Sequence, residues 1–314
     1  MSKSLLESVT EIFQPQLPAW ACEFTSRHFI VAGLDPRRTS VIGKAAVDAP
    51  AGGLIGSLVD RNLNSPDNVL SMVRTGLSQA GAKGSEIAVV IPDDSARISF
   101  LAADKLPSGQ EERETFIRWK LKKSMPFDVD SAQVAYKILG THGANKAVDL
   151  VVALSPRAVI EEYVDLMEKA ELHAGFVIPS TLAAMNLLRT PAEDTLFVKI
   201  APGCITTTVF QKRRFQFYRR VPEMPLYDAV YPTIMYYQDK LMGAGIERVV
   251  VCTYDDDARG PMAELQEKLN VPVGRLQPQH VGDLYKPVLG ALNFTVGAVY
   301  DRAHFVDSRN SARS

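Results

Sequence analysis

The feature that most constrains this chain is an order of elements that occurs twice. Near the N-terminus, "AWACEFTSRHFIVAGL" reads as two apolar strands around a polar Thr25-Ser26-Arg27 turn, a hairpin signal. "SPDNVLSMVRTGLSQAG" then places Val69, Leu70, Val73 and Leu77 at helical spacing, opened by Ser65-Pro66 and closed by Gly81. "EIAVVIPDDSAR" follows as a strand ending in acids. In the second half, "LFVKIAPGCITTTVF" and "RRFQFYRRV" supply strands, "PLYDAVYPTIMYYQDKLMGAG" a helix, and "RVVVCTYDDDAR" another strand ending in acids. The two closing strings share Asp-Asp-(Ser/Asp)-Ala-Arg, at 93–97 and 255–259. So short a pattern alone carries little weight, but it falls at corresponding places in two hairpin–helix–strand units, which implies a duplicated α/β domain.

Composition excludes several other classes. With 314 residues, 46% of them hydrophobic and 23% charged, the chain can bury a substantial core in one large or two medium domains. A net charge of −1 gives no global basic field of the kind a nucleic-acid binder uses. Cys22, Cys204 and Cys252 are odd in number and far apart, which argues against a disulfide framework and fits a reducing compartment, the cytoplasm by default. No apolar run reaches the roughly 18 residues of a membrane span, and the N-terminus lacks a basic, apolar and cleavable signal pattern.

Between the halves lies a stretch of different character. "ERETFIRWKLKKSMPF" is a helix that stops at Pro126, "DSAQVAYKILG" and "AVDLVVAL" are strands, and "SPRAVIEEYVDLMEKAEL" is a helix opened by Ser155-Pro156. This predicts a βαββ-type α+β insert within the first domain. The expected boundaries are an amphipathic helix over 1–17, a first domain over 18–92 and 176–190, an insert over 93–175, a second domain over 191–306 and a disordered tail over 307–314. The N-terminal helix carries Leu5, Leu6, Val9, Ile12 and Phe13 on one side and Glu7 and Glu11 against Lys3 on the other, so docking on protein is expected rather than insertion into an anionic membrane.

"WKLKKSMPFDVDSAQVAYKIL", residues 119–139, resembles the PilM-type assembly proteins of type IV pili, relatives of the actin-like proteins that bind ATP. "PTIMYYQDKL", "ELQEKLNVPVGRLQP" and "YKPVLGALNF" resemble that family's late helices and final strand, and the likeness runs from about Pro18 to Phe294. The resemblance implies an actin-like fold, two duplicated ribonuclease H-like α/β domains with a small α+β insert in the first. In a working site of that kind, two glycine-bearing hairpins wrap the phosphates, acids hold the metal and its waters, and a Gly-Gly turn admits the adenosine.

Against that pattern the chain departs at every loop. Glu23 stands about where an Asp is expected and Thr25, followed by Ser26, where a Gly is expected, with Ile30 near a common Lys position. Lys199 replaces the Asp and Ala201 the Gly of the second hairpin, which keeps Gly203, and Thr253-Tyr254-Asp255 occupies the Gly-Gly turn. An ammonium has donors only and cannot ligate Mg²⁺. The expectation is therefore a degenerate nucleotide site with no cofactor, no metal and no catalytic residue; the alternative is ATP with Mg²⁺ on an atypical site. Lys199 is expected to pair with Glu23 across the cleft in preference to holding a γ-phosphate, the plain alternative being a lysine that snorkels from a strand end.

Other candidate chemistry is thin. His28, His142, His173, His280 and His304 have no metal-ligand spacing. The three cysteines read as small buried strand residues, Asp255-Asp256-Asp257 as a solvated turn, and Thr206-Thr207-Thr208 as β-propensity. Two basic stretches stand as candidate faces for an acidic partner segment or anionic lipid, with an ordinary solvated surface as the alternative. They are Arg118, Lys120, Lys122 and Lys123 on the insert helix, and Lys212, Arg213, Arg214, Arg219 and Arg220 around a hairpin. The resemblance implies a cytoplasmic scaffold, peripheral at the inner membrane through partners. It would receive the cytoplasmic N-terminal segment of a single-span PilN-like protein, with Arg118, Lys122 and Lys123 as the candidate partner residues, no nucleic acid and only indirect membrane contact. The rival readings are an actin-like ATPase of pilus or type II secretion assembly and a self-associating cytoskeletal protein.

Overall fold

The structure is a computed structural model and describes residues 17–142, 147–188, 191–255, 257–276, 285–293 and 300–301. The expected N-terminal helix and C-terminal tail lie outside the described residues, Leu17 excepted.

Strands β1 (Trp20–Phe24), β2 (His28–Leu34) and β3 (Val41–Asp48) form an antiparallel meander, because the Thr25-Ser26-Arg27 turn reverses the chain between apolar runs. Helix α1 (Pro66–Ala80) starts at the Ser65-Pro66 signal and buries Val69, Met72, Val73 and Leu77. It leads to β4 (Glu86–Ile91), which lies parallel to β1 and ends in a short 3₁₀ turn at Asp93–Ser95.

The insert follows as β5 (Arg97–Ala103), α2 (Gln110–Leu121), β6 (Ala132–His142) and β7 (Ala147–Pro156), with a separate antiparallel sheet in the order β5-β7-β6. Its own small core joins Ile117 and Leu121 of α2 to Leu150, Val152 and Leu154. Then come α3 (Arg157–Lys169), β8 (His173–Pro179), parallel to β4, and the short helix α4 (Ser180–Met185).

The second half repeats the plan. Strands β9 (Thr195–Ala201), β10 (Cys204–Gln211) and β11 (Arg214–Pro222) form a meander, and α5 (Leu226–Asp239) leads to β12 (Arg248–Thr253). Helix α6 (Arg259–Leu269), β13 (Val273–Arg275), α7 (Lys286–Asn293) and β14 (Tyr300–Asp301) complete the described chain. The first sheet runs β14-β8-β4-β1-β2-β3 and the second β11-β10-β9-β12-β13. Leaving β14 aside, the two orders match strand for strand: a three-strand meander, then two strands parallel to its first.

Two helices sit differently from the expected boundaries. Helix α3, allotted above to the insert, buries Ile160, Tyr163, Val164 and Met167 in the core of the first sheet, where Tyr163 packs on Phe24. Helix α7, allotted to the second domain, places Val288, Leu289, Ala291 and Leu292 in the same first core. Each has an apolar stripe that fits either neighbour, so its sequence does not say which sheet it covers.

Contact between α7 and α4 is close enough to need a glycine: a Cβ at Gly290 would lie 1.9 Å from the carbonyl oxygen of Ala183. Gly290→Ala is therefore expected to force the helices apart and to lower stability by about 1–3 kcal/mol in urea unfolding. Gly260→Ala, at a helical position facing open space, should be neutral or mildly stabilising.

Candidate functional site: a buried polar seam between the two sheets

Strand alternation decides which side chains face the seam. On β1, Cys22 contacts Met167 and Phe24 contacts Tyr163, both on α3, so Glu23 points to the opposite face. On β9, Leu196 and Val198 join the outer core of the second sheet, while Phe197 packs toward Ala184 of α4 with Val250 and Cys252. Lys199 shares the face of Phe197 and is 1% exposed.

Its partner is Asp93, in the turn after β4. Lys199 Nζ lies 3.1 Å from Asp93 Oδ2, and neither side chain reaches solvent. The Thr181 backbone N–H donates to Asp93 Oδ1 at 2.8 Å, and the Thr181 and Thr206 hydroxyls donate to Oδ2 at 2.6 and 3.3 Å. Burial alone would lower the Lys199 pKa, but Asp93, with Tyr254 and Glu23 behind it, holds the ammonium well above the usual lysine range. The Tyr254 ring lies 5.3 Å from Nζ, close enough for a cation–π contact.

Glu23 does not pair directly with Lys199, contrary to the expectation. Its Oε1 accepts hydrogen bonds from Ser180 and from Tyr254, whose hydroxyls are themselves 3.0 Å apart. Its Oε2 is buried without a hydrogen-bond partner. Burial pushes the carboxyl up to about 7 against the pull of Lys199 and the two hydroxyl donors. The ion pair takes Asp93 instead because the turn after β4 reaches across to the second sheet. At the rim, Arg220 of β11 makes an ion pair with Asp94.

The three expected loops thus send Glu23, Lys199 and Tyr254 into one seam, while their tips are occupied locally. Thr25 Oγ1 accepts from the N–H groups of Arg27 and His28, and Ser26 is exposed. Ala201 is half-buried, and Gly203, at φ 82°, donates its N–H toward Glu223 Oε2 at 3.3 Å. The Asp255 N–H donates to Thr253 Oγ1, and its carbonyl accepts from Arg275. The N–H groups of Arg27, His28, Gly203 and Asp255 are each engaged by a nearby side chain, and the Lys199 ammonium lies beside Asp93. Among the described residues no cluster of three His, Cys, Asp or Glu could hold a metal ion.

Asp93, Ser180, Thr181 and Thr206 were not singled out as site residues in the sequence. The shared acid-ending pattern was the signal available for Asp93, and the Thr206-Thr207-Thr208 run held one seam donor: Thr206 faces Asp93, while Thr207 bonds Thr233 of α5. Of the basic candidates, Arg118, Arg219 and Arg220 are tied into the fold, while Lys120, Lys122, Lys123, Lys212, Arg213 and Arg214 are exposed. Arg118 donates to the Ala132 carbonyl, Lys122 pairs with Asp130 at 2.5 Å, and Arg219 donates to the Ala229 carbonyl; Lys123 stays exposed. Burial raises the pKa of all three cysteines, as structural thiols require.

Because Glu23 binds its proton more tightly in the folded chain, at about 7 against an ordinary 4.5, its contribution to stability is full below pH 4.5 and is lost as pH rises to 7. Glu23→Gln keeps an acceptor for Ser180 and Tyr254. The urea midpoint of the wild type relative to this variant should fall across that window; parallel curves would contradict the assignment.

A family model described as type IV pilus assembly protein PilM matches residues 51–188. No curated protein matches the sequence. Among solved structures, the chain is similar to the PilM-PilN type IV pilus biogenesis complex at a TM-score of 0.72 and 14% identity, covering 88% of this chain and 98% of that one. A Bacteroides thetaiotaomicron protein with an actin-like ATPase fold aligns at 0.56 and 10% identity, covering 88% and 95%. The cytoplasmic domain of EpsL, an inner membrane component of the Vibrio cholerae type II secretion system, aligns at 0.52 and 11%, covering 88% and 96%. With two matching sheets and an insert in the first half, the chain has an actin-like fold, and it is similar to PilM-type proteins across residues 51–188.

Proposed function

We propose that the protein is a cytoplasmic scaffold of a type IV pilus assembly machine that has lost nucleotide binding. In this reading it sits at the inner membrane by binding the cytoplasmic N-terminal segment of a PilN-like single-span protein. The family match and the likeness to a PilM-PilN complex support the partner class. Among the described residues no helix is long and apolar enough to cross a membrane, so membrane association through a partner suits the chain.

The observation that carries the nucleotide-free reading is the buried Lys199–Asp93 pair. Removing one member of a desolvated ion pair typically costs about 3–5 kcal/mol, since the other charge is left without compensation. A nucleotide entering the seam would have to part them and the Glu23–Tyr254 bond as well. A scaffold has no need of such an exchange, and peptide capture in a cleft between the insert and the first domain would use strand pairing and apolar anchors rather than phosphate chemistry.

Calorimetry with a synthetic peptide from the cytoplasmic N-terminus of the PilN-like protein should give micromolar-range binding, about −8 kcal/mol. Charge reversal at Lys122 and Lys123 tests two of the basic residues exposed on the insert, and silence with every such peptide would remove the scaffold reading. Millimolar Mg-ATP should leave the melting temperature unchanged, whereas a ligand at a hundredfold excess over its dissociation constant would add about 2.7 kcal/mol. Steady phosphate release by the pure protein, abolished in Glu23→Ala, would favour the ATPase rival instead.

A further inference from the structure

The contacts across the seam are exchanged between the two halves. Strand β1 of the first sheet sends Glu23 to Tyr254, just past β12 of the second sheet. Strand β9 of the second sheet sends Lys199 to Asp93, just past β4 of the first. Since β1 lies beside β4 and β9 beside β12, each half gives its first-strand side chain to the segment that follows the other half's fourth strand. Arg220 and Asp94 add a third bond between the sheets at the rim, and Phe100 of the insert packs on Phe215 of β11 with ring centroids 4.9 Å apart.

We propose that these exchanged side chains are a built-in latch that holds the two lobes closed without any ligand, with the Lys199 ammonium as the fixed cation between them. The latch deepens the nucleotide-free reading above and rests on it. A free cation bridging two lobes can leave; an ammonium rooted in β9 cannot, and it closes the gap from one side only. Asp93 is built to receive it, because Thr181 fixes its other oxygen through a backbone N–H and two hydroxyls complete Oδ2. Glu23 reaches across to the same ring that covers Lys199, so the two exchanged contacts share Tyr254. The Lys199–Asp93 pair sets one positive charge against one negative charge in the dry seam, and burial pushes the neighbouring Glu23 carboxyl up toward its neutral form. Thr206, from β10, makes the closed arrangement self-sufficient on the second sheet's side.

The test places spin labels on the full chain at Ile42→Cys and Met242→Cys, two exposed positions on the first sheet's edge strand and beyond α5 of the second lobe. The native thiols are buried and should not take label. Pulsed distance measurements should give one narrow distribution, unchanged by millimolar Mg-ATP. Lys199→Met should broaden it toward longer distances, and Tyr254→Phe, which removes one hydroxyl and is the milder variant if Lys199→Met does not fold, should broaden it less. The double variant Lys199→Met with Asp93→Asn should lower the urea midpoint by less than the sum of the single losses, the signature of a coupled pair. A narrow, unshifted distribution in both Lys199→Met and Tyr254→Phe would overturn the latch even if stability fell, leaving Lys199 a plain core residue. A Mg-ATP-dependent shift in the wild type would instead overturn the nucleotide-free reading on which the latch rests.

Discussion

The arrangement of the two lobes depends on placing one ammonium where water does not reach. Lys199 is tolerable at that depth because Asp93 meets it at 3.1 Å and because Asp93 is itself held by a backbone donor and two hydroxyls. Such a pair is weak evidence for net stability, since desolvation offsets much of the attraction. Its effect is on geometry: few relative positions of the sheets allow every one of these bonds, so the pair specifies one. The apolar wall around it, Phe197, Val250, Cys252 and Ala184, keeps the dielectric low and the specification strict.

Much of this was legible in the sequence, and the limits have physical causes. Hairpins, helix starts and the duplicated order follow from local signals, and together with the family resemblance they direct Glu23, Lys199 and Tyr254 to one cleft. The partner of Lys199 could not be read the same way. Asp93 and Glu23 are both acids near strand ends, and choosing between them requires knowing how far the turn after β4 reaches across the gap. Ser180 and Thr181 carry no signal at all, because a Ser-Thr pair at the start of a short helix is ordinary capping chemistry. The basic helix is mixed: Arg118 turns in to the Ala132 carbonyl, while Lys120, Lys122 and Lys123 keep to the surface, and the sequence spacing does not separate them.

The duplication also explains why sequence similarity between the halves is faint while their topology is alike. The order of strands is fixed by right-handed crossovers and by which runs are apolar, and many sequences satisfy it. The seam is where the halves differ: the first strand of one carries Glu23 and that of the other Lys199, which bonds Asp93.

The path of the chain has a consequence for synthesis. The second sheet is built from residues 195–275 without interruption, whereas the first sheet's core waits for α7 at 286–293, after the second sheet is complete. Domains on a nascent chain generally fold as units in the order they emerge. Here that order is inverted: the C-terminal lobe can close while the N-terminal one still lacks the helix that seals it, exposing the apolar face of α4 to whatever chaperone attends the ribosome.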